Sequence, residues 1–192
     1  MRTQVTNTVR ACFAALRQIR SVRRSLPQHA LLTLIQTLVK LGQCNSVLVG
    51  TSVYLQDLLQ SVLNAAARLV YPRRTSEHTT PLLWELHWLR VPERIQFRLC
   101  VLAYHCVHGT ALAYLSDSLR PTSEIVARRC LRFADTTTLQ VQSTRRATLV
   151  DRAFPVAAAR AWNSLPLETR ACSSLLTLRR QTESYLFRHS YG

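Results

Sequence analysis

The sequence is poor in acidic residues and glycine and has almost no lysine: among 192 residues there are 10 Asp and Glu, four Gly and a single Lys, Lys40. Nowhere does an apolar run approach the roughly 18 consecutive residues that a membrane-spanning helix needs. The first residues are Arg2 and polar side chains, without the apolar core of a secretory signal. The expectation is an intracellular protein, nuclear or cytoplasmic, not secreted and with no membrane partner. No Cys-x-x-Cys pair occurs. The six cysteines, Cys12, Cys44, Cys100, Cys106, Cys130 and Cys172, are scattered and read as reduced, mostly buried thiols. Also missing are a glycine-rich phosphate loop, a His-Glu-x-x-His pair and a nucleophile elbow. No cofactor, no small-molecule substrate and no catalytic residues are therefore expected. Cys100, His105, Cys106 and His108 come nearest to a metal set. On a helix, however, positions 100 and 106 point in nearly opposite directions, which suits no tetrahedral ion.

Arginine is abundant. The formal net charge is +15, and every basic residue except Lys40 is Arg. The dominance of Arg over Lys fits GC-rich codons, but codon usage does not explain the excess of base over acid. Such an excess favours polyanion partners through counterion release, and the guanidinium fork matches phosphate oxygens in pairs.

Hydrophobic periodicity predicts a mostly helical chain. Residues 8–25 form an amphipathic pattern, with Cys12, Leu16 and Ile19 on one side. Arg10, Arg17 and Arg24 recur every seven residues on another stripe, with Arg20 beside them. A second helix is predicted over 30–40, carrying Leu31, Leu34, Ile35 and Leu38, and a third over 53–70, with the cleanest period. Pro72-Arg73-Arg74-Thr75-Ser76 reads as a basic loop. Thr79 or Thr80 can cap a short helix opened by Pro81. Trp84, Leu86 and Trp88 then supply apolar load, read as core. The next helix, 92–108, is apolar on most sides and ends at Gly109; a short one follows over 111–119. From 121 to 150, Leu131, Phe133, Leu139, Val141 and Leu149 alternate with polar residues, which predicts two or three short strands. Arg128, Arg129, Arg132, Arg145 and Arg146 cluster there. Helices over 152–164, capped by Asp151, and 174–188 complete the chain.

Three blocks carry a resemblance: Asn64-Ala65-Ala66-Ala67-Arg68-Leu69-Val70, Leu86-His87-Trp88-Leu89, and the run from Asp151-Arg152-Ala153-Phe154-Pro155 to Trp162-Asn163-Ser164-Leu165-Pro166. In order and spacing the chain, from about 4 to 187, resembles the C-terminal part of LINE-type non-LTR retrotransposon reverse transcriptases, from the start of the thumb onward. One departure is at Gly42-Gln43, where relatives usually have Asp-Tyr before the Cys-Asn-Ser matched by Cys44-Asn45-Ser46. The resemblance implies an RNA-directed DNA polymerase as parent, and reverse transcription needs paired carboxylates to hold two metal ions. Phe133-Ala134-Asp135-Thr136 mimics the palm motif of that family, but Thr136 replaces the second carboxylate and the tetrapeptide lies too far downstream.

The fold expected is mainly α: a thumb-like helical bundle over 1–120, a basic Thr/Ser-rich segment with a small β hairpin or meander over 121–150, and two C-terminal helices over 151–192 that pack on the bundle. The function expected is sequence-independent binding of RNA or DNA backbone, with no catalysis by this chain and no bound metal. Arg10, Arg17, Arg24, Arg73, Arg74, Arg145 and Arg146 are the expected phosphate contacts. The alternatives are a non-functional transposon relic or a host-recruited protein-interaction module.

Overall fold

A computed structural model describes residues 2–41, 50–71, 78–122, 137–142 and 153–192. Nine α-helices occur among them. They are α1 (Arg2–Val22), α2 (Gln28–Leu41), α3 (Val53–Val70), α4 (Thr80–Glu85), α5 (Val91–Val107), α6 (Ala113–Ser116), α7 (Phe154–Asn163), α8 (Leu167–Arg170) and α9 (Leu175–Tyr191). A 3-10 turn, Arg23–Ser25, follows α1. The chain is thus mainly helical. The small β hairpin expected over 121–150 is not supported. The described residues contain no strand, only an isolated antiparallel bridge between Pro121 and Leu139, and 123–136 and 143–150 lie outside the described residues.

Two compact units divide the chain near Pro92. In unit 1, α3 packs against α1, α2 and α4, and α1 against α2. The core is drawn from one stripe of each helix: Val5, Val9, Cys12 and Leu16 of α1, Leu31 and Ile35 of α2, and Leu55, Leu59, Val62 and Leu63 of α3. Ala66 and Ala67 are fully buried, so α3 approaches its neighbours closely at that turn. Helix α1 starts six residues earlier than its periodicity predicts. Nothing in 2–7 breaks a helix, and the Thr6 and Thr8 hydroxyls donate to Arg2 O and Gln4 O, both at 2.9 Å, inside it. Leu34, expected in the core, is exposed.

Helix α4 ends in a reversal that the sequence does not advertise. His87 has φ +50°, the left-handed region. Its amide donates to Trp84 O at 3.0 Å, and that of Trp88 donates to Leu83 O at 2.9 Å. Those two bonds define a Schellman cap with histidine where glycine is usual. The turn sends the two tryptophans apart: Trp88 is buried, whereas Trp84, expected in the core, is 54% exposed. The chain then enters α5, whose first amide, Val91 N–H, donates to Gln60 Oε1 of α3 at 3.0 Å. Gln60 in turn donates to Asn64 Oδ1 at 3.0 Å. A side chain from another helix thus satisfies an amide that α5 itself leaves unpaired.

Unit 2 takes in the rest of α5 and α6 to α9. Helix α5 ends as the sequence predicts, with Gly109 at φ +64° and the Thr110 amide donating to His105 O at 2.9 Å. Cys100 Sγ donates to Ala161 O at 3.5 Å, and Tyr104 Oη to Ser173 O at 2.7 Å, joining α5 to α7 and to the start of α9. The inward residues of α7 are small, with Ala158 and Ala159 fully buried beside Val156 and Trp162. Leu178 and Leu186 of α9 are fully buried, and Arg179 and Arg180 face solvent.

Candidate nucleic-acid interface

Between Arg2 and Ser25 there are six arginines and no acid. In unit 1 the described acids are Asp57 and Glu85 alone, against eight described arginines. Apolar residues at four-residue spacings turn one side of α1 inward, which forces its arginines out. Arg10, Arg17, Arg20 and Arg24 are exposed and Arg23 is half-buried. Arg2 lies over the Tyr54 ring, 5.7 Å from its centroid, a cation–π contact.

Arg10 and Arg17 share a face of α1, about 10.5 Å apart by helical rise. The winding tightens to 3-10 at Arg23, about three residues per turn instead of 3.6, and the next residue is Arg24. It joins Arg20, Ser21 and Arg23 around an open depression of about 730 Å³. Ser21 Oγ donates to Gln18 O at 2.7 Å, so its proton is used within the helix. The structure therefore brings Arg24 together with Arg20 and Arg23, while Arg10 and Arg17 lie further back along α1. Arg73, Arg74, Arg145 and Arg146 lie outside the described residues, as do Arg128, Arg129, Arg132 and Asp135.

Unit 2 gives the Trp-Asn-Ser-Leu-Pro block a physical task. The fully buried Trp162 donates from Nε1 to Thr137 O at 2.7 Å. Asn163 pairs with both backbone groups of Leu139: its Oδ1 accepts from Leu139 N–H at 2.9 Å and its Nδ2 donates to Leu139 O at 2.8 Å. The carboxamide thus acts as one rung of a missing neighbouring strand. On either side, Gln140 N–H donates to Arg120 O at 2.8 Å and Thr122 N–H to Thr138 O at 2.9 Å. Ser164 Oγ accepts from Gln96 Nε2 at 2.8 Å and donates to Ala161 O at 2.7 Å. Its carbonyl accepts from Tyr185 Oη at 3.2 Å. Leu165 is buried, and Pro166 O accepts from the amides of Thr169 and Arg170 in α8, both at 3.1 Å. The block is a clamp on residues 137–140. The sequence marks the block as a family feature without showing this role, because Thr137 and Leu139 lie 25 and 24 residues from the side chains that hold them.

The thiols of Cys12, Cys100 and Cys106 are buried. Burial pushes Cys100 up to about 12 and raises Cys12 and Cys106 as well. Cys12, Cys100, Cys106 and Cys172 are free, the last half-exposed. Among the described residues no three His, Cys, Asp or Glu side chains gather where they could hold a metal ion, and no helix is long and apolar enough to cross a membrane. No family model, curated protein or solved structure matches the chain.

Proposed function

We propose that the chain is the thumb and post-thumb region of a LINE-type reverse transcriptase and binds RNA or DNA backbone without sequence preference. The family part of this reading rests on the sequence blocks above. The binding part rests on one observation: the acid-free, outward-facing arginines of α1 and its 3-10 extension. Duplex DNA presents a phosphate about every 3.4 Å along each strand. The roughly 10.5 Å between Arg10 and Arg17 therefore corresponds to about three nucleotides of a strand lying along α1. Contacts of this kind position a backbone and read no bases. With no paired-carboxylate motif in its sequence, the chain is read as non-catalytic.

The test is binding of a labelled primer–template duplex and a single strand, titrated from low to about 0.3 M salt. For the duplex the expected log–log salt slope is steep. It should flatten by about 2.7 when Arg10, Arg17 and Arg24 are all changed to Glu, at about 0.9 per lost contact. An unchanged slope removes these three residues from the interface. Absent binding by a well-folded protein removes the nucleic-acid reading.

A second reading has its own observation. Leu112, Tyr114, Leu167 and Leu176 of unit 2 are 54–78% exposed, and large exposed apolar residues suit a protein-interaction module. A compact monomer without nucleic-acid affinity would favour it. A broad thermal transition and poor solubility would instead indicate a transposon relic.

A further inference from the structure

We infer that Arg20, Arg23 and Arg24 form a cup for a compact polyphosphate anion, of the kind carried by a free tripolyphosphate or by the 5′-triphosphate end of an RNA. Several features of the α1 terminus point there. The depression, about 730 Å³, is open to solvent, so a polyanion reaches the guanidiniums without any movement of the chain. Its described lining residues, Arg20, Ser21, Arg23 and Arg24, bring three guanidiniums and no carboxylate. Because Arg23 is half-buried, its bonds to phosphate form in a partly desolvated setting, where charge-assisted bonds are strengthened. The Ser21 proton is committed to Gln18 O at 2.7 Å, so recognition falls to the guanidinium forks. The end of a helix carries only about half a negative charge, which three full positive charges outweigh.

The cup shares Arg24 with the proposed nucleic-acid face but selects a different charge distribution. A phosphodiester backbone spreads one charge per about 3.4 Å of strand, suited to the open line of Arg10 and Arg17. A triphosphate concentrates its charges at one point, suited to three arginines closing on a depression.

The experiment is calorimetric titration of the full chain with inorganic tripolyphosphate at fixed ionic strength, with sulfate as the control anion. Expected is saturable one-site binding, with sulfate about tenfold weaker or worse. Arg20→Ala/Arg23→Ala/Arg24→Ala should weaken tripolyphosphate binding about tenfold or more, and Arg10→Ala/Arg17→Ala less than about threefold. Arg→Lys at the same three positions keeps the charge but loses the fork, so an intermediate loss is expected even if the alanine variant is unstable. Equal losses in both alanine sets, or no saturable binding, overturn the cup. Competition then assigns the source. A 5′-triphosphorylated RNA that displaces tripolyphosphate better than its 5′-hydroxyl counterpart indicates a nucleic-acid end, and equal weak displacement indicates a free anion. Primer–template binding without tripolyphosphate binding overturns the cup alone, and the reverse result overturns the nucleic-acid reading alone.

Discussion

Replacing Asn163 with Ala tests whether the Trp-Asn-Ser-Leu-Pro block acts as the clamp its geometry describes. Two hydrogen bonds are lost, at 2.9 and 2.8 Å, and both belong to Leu139, a residue only 3% exposed. A typical hydrogen bond contributes about 0.5–1.5 kcal/mol net, while a buried group left unpaired costs about 1–3 kcal/mol. Asn163 is itself only half-buried, so water can enter the space it vacates and relieve part of the penalty. A loss of about 2–4 kcal/mol is expected. With a urea m-value of about 2 kcal/mol/M, the midpoint falls by roughly 1–2 M at unchanged m. Amide exchange at Leu139, whose N–H donates to Asn163 Oδ1, should accelerate most. Asn163→Asp keeps the acceptor but sets a carboxylate oxygen against Leu139 O. It should cost at least as much at neutral pH and recover part of the loss where the carboxyl protonates. A midpoint change worth under about 0.5 kcal/mol, the usual range for featureless surface sites, with normal exchange at Leu139 would refute the clamp.

His87 sits at φ +50° in the Schellman cap of α4, a conformation that costs a side-chain-bearing residue about 1–2 kcal/mol. His87→Gly should therefore raise stability by up to about 1 kcal/mol, and His87→Val should lower it by a similar amount, as read by thermal melts. Cys100, raised from 9.0 to about 12 by burial, should resist aqueous thiol reagents at pH 8 in the folded protein, whereas the half-exposed Cys172 reacts. The folded state holds the Cys100 proton more tightly than the unfolded chain does. Its contribution to stability is thus intact below pH 9.0 and is lost as the pH rises towards about 12, at no more than about 1.4 kcal/mol per pH unit. Denaturation midpoints measured across that range, in wild type and Cys100→Ser, check the sign.

Helix α3 was legible almost to the residue: its predicted span, 53–70, is the span observed. An amphipathic period that long leaves one solution, and the same logic placed α7, α9 and the Gly109 cap. The start of α1 was missed because 2–7 has no apolar stripe of its own beyond Val5 and extends a helix whose core contacts lie further on. Trp84 and Trp88 show a different limit. They are four residues apart with similar neighbours, and only the left-handed turn at His87 sends one inward and the other out. A histidine does not announce such a turn as a glycine would. At the candidate interface, the arginine excess and its seven-residue spacing could be read directly. The depression lined by Arg20, Arg23 and Arg24 could not, because a pattern of residue types does not show where their side chains leave open space.

By itself, the sequence determined the helical character, the main buried stripes and the one-signed charge of α1. These follow from local periodicity and composition, which need no partner to be expressed. Tertiary structure alone decided that Asn163 completes the backbone of Leu139 and that Gln60 satisfies the first amide of α5. Each of these depends on groups that distance along the chain keeps out of any sequence pattern, and a buried polar group is satisfied by whatever the fold brings within about 3 Å.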